Sequence, residues 1–220
     1  MLKIVVFDGG FGGELFADKI ENELPIVNVI RVIDWQHGEE ILSSRRKARR
    51  ATEEALLPYI GTVDLIIIAN HLLSATSLKY FRRKYHNQAF LGVALPNIKD
   101  ASSRQMVVLT TTEMKKTMSY LGYSMHLPGS AITITMDDLP EKLDQGTMNG
   151  REIIKYLDHK MIKLNAPPKT FILVCTHFCA IKRNLKNAYG CNIKIYDGFD
   201  ETIKATCKIL KIRGGLGKKK

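Results

Sequence analysis

No stretch of this 220-residue chain approaches the roughly 20 consecutive apolar residues that a membrane-spanning helix requires. The opening run Leu2-Lys3-Ile4-Val5-Val6-Phe7 is too short for a secretory leader and ends in Asp8. Cysteine is scarce: Cys175, Cys179, Cys191 and Cys207 all fall in the last quarter of the chain. In a reducing compartment these are thiols rather than a disulfide framework. A cytoplasmic protein with no membrane partner is therefore expected. There is no Gly/Ser linker and no low-complexity segment before the tail Gly214–Lys220. Zinc-finger spacing and aromatic-rich basic motifs are also missing.

What remains is ordinary for a globular protein, with 45% hydrophobic and 25% charged residues. The length suits one large domain or two small ones and can bury a core without staples. The net charge is +11, concentrated in Arg45-Arg46-Lys47-Ala48-Arg49-Arg50, in Arg82-Arg83-Lys84 and in Lys218-Lys219-Lys220. Such a balance attracts anions. A solvated helix face and a frayed tail are the simpler account, so nucleic acid is not expected as a partner.

Short apolar runs alternate with helical stretches along the whole chain. Strands are predicted at Leu2–Phe7, Ile26–Ile33, Asp64–Ala69, Ala89–Ala94, Gln105–Thr110, Ala131–Thr135, Phe171–Cys175 and Ile193–Tyr196. Several are continuous Val/Ile/Leu runs, as parallel strands buried on both faces require. Helices are predicted between them: one from about Gly38 to Leu57 before Pro58, one over Asp137–Gly146, and one from near Asn149 to before Pro167-Pro168. The alternation implies an α/β fold with ligands at the carboxyl ends of strands. The two halves echo each other: Ile66-Ile67-Ile68-Ala69-Asn70-His71 is similar to Ile172-Leu173-Val174-Cys175-Thr176-His177. Two similar doubly wound lobes with parallel sheets and a cleft between them are expected. Crossovers near Ala94-Pro96 and Asp197-Gly198 divide the chain into residues 1–95 plus 197–220 and residues 96–196.

Three segments carry candidate chemistry. Asp8-Gly9-Gly10-Phe11-Gly12-Gly13 follows the first strand, and its glycines permit positive φ or a close ligand approach. A helix start there offers free N–H groups to an anion. Leu15 at the third glycine position excludes the dinucleotide fingerprint, and no lysine follows to make a phosphate loop. Asp8 at the end of a buried strand needs a partner or a function. Cys175-Thr176-His177 places a thiol beside an imidazole and a helix start, a setting that favours the thiolate and hence proton abstraction or nucleophilic attack. A buried structural cysteine is the competing reading. Cys175-x-His177-x-Cys179 lacks a second ligand cluster, so no metal site is expected. Asn70-His71 reads as a cleft pair or as a helix cap.

In order and spacing, these motifs resemble those of the glutamate racemases, in the aspartate/glutamate racemase family. That family carries Asp-Ser-Gly-x-Gly-Gly after the first strand, Cys-Asn-Thr after a middle strand and Gly-Cys-Thr-His late in the chain. Here the corresponding segments are Asp8–Gly13, Asn70-His71-Leu72 and Val174-Cys175-Thr176-His177, with Gly92-Val93-Ala94-Leu95-Pro96 and Thr110-Thr111 as looser matches. The resemblance implies a two-lobed fold, no organic cofactor or metal, and proton transfer at the α-carbon of a small acid or amino acid. It makes Cys175, His177, Asp8 and His71 the candidate catalytic residues. Gly9, Gly10, Asn70, Thr111 and Thr176 become the candidate substrate contacts. The oligomeric state is left open, a homodimer being the candidate assembly. In the racemases two thiols flank the α-carbon. Here Asn70 stands at the place of the first, Gly9 at that of the family's serine, and His71-Leu72 at that of its Asn-Thr. Efficient glutamate racemisation is therefore not expected. His71 is the candidate replacement base, because its ordinary pKa lies near neutrality. Arylmalonate decarboxylases, which resemble this family and keep only the late cysteine, supply an alternative. A non-catalytic relative that binds a small acid is the third reading.

Overall fold

The computed structural model describes residues 1–35, 44–99, 105–147, 149–162 and 167–212. The chain divides into two compact units, Met1–Ala94 with Phe199–Lys220, and Leu95–Gly198. The first builds β1 (Leu2–Asp8), α1 (Phe11–Glu23), β2 (Val27–Ile33), α2 (Arg45–Leu56), β3 (Leu65–Ile68), α3 (His71–Lys84) and β4 (Phe90–Gly92). Its four strands are parallel and ordered β2-β1-β3-β4. Val5 pairs with Ile30 on one side and Ile66 on the other. Ile4–Phe7 and Leu65–Ile68 have no exposed surface. Burial of each such side chain stabilises the sheet by about 1.5–3 kcal/mol relative to exposure.

The second unit contains β5 (Met106–Thr110), α4 (Thr112–Lys115), α5 (Met118–Ser124), β6 (Ile132–Thr135), α6 (Leu139–Asp144), α7 (Gly150–Lys160), β7 (Thr170–Val174), α8 (Lys182–Tyr189) and β8 (Lys194–Tyr196). Its parallel order is β6-β5-β7-β8, the same second-first-third-fourth arrangement. Val107, Leu109, Phe171 and Leu173 on the two central strands pack against Ile153, Leu157 and Leu185 from α7 and α8. The capping box that starts α7 explains why that helix was legible: Asn149 Oδ1 accepts from the backbone N–H of Glu152, and the Glu152 carboxylate accepts from that of Asn149.

The last helix, α9 (Phe199–Ile209), belongs to the first unit. The Phe199 ring lies 4.7 Å from Phe16, Lys19 pairs with Asp200 at 2.9 Å, and Ala94 N–H donates to Thr202 Oγ1 at 2.8 Å.

All eight expected strands form, with ends shifted by one or two residues at most sites. The helix expected over Asp137–Gly146 is shorter, Leu139–Asp144. The helix expected from Gly38 to Leu57 is shorter, Arg45–Leu56, because Ser44 before it is extended; residues 36–43 and the tail Gly214–Lys220 lie outside the described residues. Among the described residues no helix is long and apolar enough to cross a membrane.

Candidate active site

The candidate residues gather at the carboxyl ends of the central strands of each unit. Asp8 closes β1 and is fully buried. An acid there must be satisfied locally. Its Oδ1 accepts from Gly9 N–H at 2.7 Å and from Asn70 Nδ2 at 2.9 Å. Gly10 is the N-cap of α1. None of Gly9, Gly10, Gly12 and Gly13 uses the positive φ that glycine allows; among the described residues glycines with that backbone are Gly61, Gly146, Gly190 and Gly198. The glycines serve close approach instead. A Cβ on Gly13 would lie 2.4 Å from Asp8 Cβ and 2.8 Å from Ile33 Cδ1, so only glycine lets the first turn of α1 seat on the buried acid.

Asn70 is the N-cap of α3, its Oδ1 accepting from Leu73 N–H at 3.0 Å. With Nδ2 on Asp8, the amide is used at both ends, and the two bonds fix its orientation. Of the two readings of Asn70, the helix cap is the one these bonds show. His71, the first residue of α3, is 4% exposed, and neither ring nitrogen has a hydrogen-bond partner among the described residues. Burial pushes its pKa down to about 4; the Ala94 backbone opposes this only in part, without forming a well-shaped hydrogen bond to the ring. His71 is neutral at physiological pH.

In the second unit Cys175 follows β7 at the N-cap of a 3-10 turn over Thr176–Ile181, and the α-helix proper starts only at Lys182. The Cys175 side chain makes no capping bond. Its Sγ lies 3.8 Å from His177 Nδ1, and His177 Nε2 lies 3.1 Å from Asp144 Oδ1 and 3.2 Å from Oδ2. Asp144 ends α6 and was not singled out from sequence. An Nε2–H donated to its carboxylate leaves the Nδ1 lone pair directed at the thiol, the tautomer being assigned from this hydrogen bonding. Thiol, imidazole and carboxylate thus form one chain, able to move a proton off sulfur and to stabilise the imidazolium that results.

Thr176 is buried beside Cys175. Thr111 caps α4, its Oγ1 accepting from Met114 N–H at 3.3 Å. Cys179 donates instead to Asp197 Oδ2 at 3.6 Å, and Asp197 also pairs with Lys182. Cys179 therefore has a different partner from the Cys175–His177 pair. Among the described residues no group of three or more His, Cys, Asp or Glu is placed to hold a metal ion.

No family model matches the chain. Comparison with curated proteins gives glutamate racemase of Aquifex aeolicus (strain VF5), 25% identical over 219 residues that cover 97% of this chain and 85% of that protein. Glutamate racemase of Proteus mirabilis (strain HI4320) is 25% identical over 233 residues, covering 96% and 78%. Among solved structures, Escherichia coli glutamate racemase in complex with L-glutamate and activator UDP-MurNAc-ala superposes with a TM-score of 0.82, at 20% identity, over 96% of this chain and 83% of that one. A paired four-stranded parallel architecture, the order of the three motifs and near-full-length similarity to curated relatives converge: in sequence and fold the chain is similar to the glutamate racemases.

Proposed function

We propose that the protein is a cofactor-independent catalyst of the racemase or isomerase type, transferring a proton at the α-carbon of a small acid or amino acid, and that it is not an efficient glutamate racemase. The observation that carries this reading is the chain from Cys175 Sγ through His177 to Asp144. The thiol proton passes to His177 Nδ1, giving a thiolate and an imidazolium held by the Asp144 carboxylate. The thiolate then takes the substrate's α-proton and becomes a thiol again, leaving the electron pair on the α-carbon, delocalised into the substrate's carboxyl group. Return of a proton from the same thiol restores the original configuration.

Inversion needs a second proton donor on the opposite face. The Asn70 amide, proposed to stand where the racemases have their first thiol, has no proton to exchange at neutral pH. His71 is buried and its pKa of about 4 makes it a weak base. Exchange should therefore outrun inversion. Thr176 and Thr111, in the same unit as Cys175, are proposed to hold a polar end of the substrate. The single thiol also favours a second reading, decarboxylation, in which Cys175 protonates the carbanion left when carbon dioxide departs.

The deciding experiment incubates the protein with a panel of α-amino acids, small dicarboxylates and arylmalonates in heavy water, read by proton NMR and polarimetry. Loss of the α-hydrogen of one enantiomer with retention supports the proposal. Racemisation of glutamate at an ordinary enzymatic rate would overturn the claim of inefficiency. Carbon dioxide release without exchange would transfer the site to the decarboxylase reading. A ligand that binds with neither reaction would leave a non-catalytic binder.

A further inference from the structure

The two basic runs of the sequence belong to different helices, and folding brings them side by side. Arg49 Nη2 donates to the Thr76 carbonyl at 2.8 Å, its guanidinium lies 5.0 Å from the centre of the Tyr80 ring, and Tyr80 Oη donates to Glu53 at 3.1 Å. These contacts fix α2 against α3. On the outer side of the pair lie two adjoining depressions of about 390 and 410 Å³ that share Arg49 and Tyr80. The first is lined by Arg45, Arg46, Arg49 and Arg50 from α2. Lys79, Arg83 and Lys84 from α3 line the second. Glu53 is the one acidic lining residue, and it is already held by Lys84, Tyr80 and Tyr85. Arg45, Arg46, Lys79 and Arg83 form no ion pair among the described residues.

We propose that this two-helix face binds the phosphate backbone of a nucleic acid. Arginine dominates the lining, and its planar fork matches phosphate oxygens in a bidentate way that lysine cannot. The guanidinium of Arg49, anchored on one side by Thr76 and stacked on Tyr80, is already ordered at the seam between the depressions. A protein partner would need an apolar centre to its interface. A bilayer-binding face gains by inserting apolar side chains. This lining has none: its one ring, Tyr80, lies within cation-π distance of both Arg49 and Lys84. Binding of this kind is independent of sequence and driven by counterion release. None of the face's lining residues is among the strand-end residues proposed above for proton transfer.

The test is fluorescence anisotropy of the full-length protein with a labelled mixed-sequence oligonucleotide of about 20 nucleotides, single-stranded and duplex, from roughly 50 to 200 mM salt. Binding is expected with a log–log salt slope of about −3 to −5, corresponding to roughly four to six phosphates neutralised. The double variant Arg46→Glu, Arg83→Glu alters two exposed side chains and should weaken binding at least ~10-fold, with an unchanged circular dichroism spectrum. The variant Lys218→Ala, Lys219→Ala, Lys220→Ala should stay within about threefold of the parent. Absence of binding at the lowest salt overturns the proposal. So does equal affinity of the Arg46/Arg83 variant, loss of binding in the tail variant instead, or tighter association with vesicles of phosphatidylcholine and phosphatidylserine than with either oligonucleotide.

Discussion

Asn70 and Cys175 hold the same place in their units: each is the residue before the helical turn that follows the third strand of a sheet ordered second-first-third-fourth. Asn70 spends its side chain on the fold, its oxygen on Leu73 N–H and its nitrogen on Asp8. The Cys175 side chain makes no capping bond to the turn that follows it. Its sulfur is left to face His177. The two histidines show a second contrast. His71 and His177 each come three residues after their strand's end, and both are buried. His177 lies between a thiol and a carboxylate, whereas His71 has no partner among the described residues. Two sheets of the same strand order thus place one of these side chains in a helix cap and leave the other out of the turn that follows it.

The largest expected effect comes from removing the Cys175 thiol. Cys175→Ala should slow α-proton exchange by ~10²–10⁴-fold, the usual contribution of a positioned proton-transfer group, while barely moving the urea midpoint. A comparable loss of exchange in Asn70→Ala, with Cys175→Ala active, would reverse the assignment of the two positions.

The paired histidines should separate under acid. Above about pH 6.5 His71 is neutral whether the chain is folded or unfolded. Between there and its folded pKa of about 4, only the unfolded chain takes up the proton, so stability falls with falling pH. The loss approaches about 3 kcal/mol at the acid end of that window. Chemical denaturation of the parent and His71→Leu across this range checks it, the variant having the flatter profile. Identical slopes would show that His71 is not the group responsible.

Asp144→Asn tests whether His177 owes its role to its carboxylate. A hydrogen bond to a charged group contributes about 1.5–3 kcal/mol, so exchange should drop roughly 10- to 100-fold. The pH profile of exchange should shift as well, which a purely structural role for Asp144 would not cause.

The smallest effect belongs to the Asn70 cap. Asn70→Ala removes a helix cap, which alone should cost about 1 kcal/mol of stability, together with one of the hydrogen bonds to Asp8. Asn70→Ser, which restores a capping oxygen but not the donor to Asp8, should recover most of the cap's share in thermal melts.

The strands were legible because runs such as Ile4–Phe7 and Leu65–Ile68 are wholly apolar, and only a parallel strand covered on both faces uses such a run. Cys175 and His177 were legible because they are neighbours in sequence. Asp144 was not: it meets His177 across 33 residues, from the end of a short helix whose composition is unremarkable. The meeting of the two basic runs was hidden for the same reason, since it depends on how α2 lies against α3. The motif after Asp8 was found for one reason and is needed for another. Sequence suggested glycine's freedom of φ or a close ligand approach, whereas the fold uses glycine's missing Cβ at Gly13.

The return of α9 to the first unit bears on how the chain acquires its structure. The second unit is a continuous stretch, Leu95–Gly198, whose sheet can close as soon as that stretch is complete. The first is interrupted, and Phe16 and the Ala94 N–H lack their partners Phe199 and Thr202 until residues made more than a hundred positions after Ala94 arrive. On a ribosome the part that emerges first is thus the part that finishes last. Until α9 docks, the apolar side of α1 that meets Phe199 is bare, which makes it the surface most in need of shielding in the nascent chain.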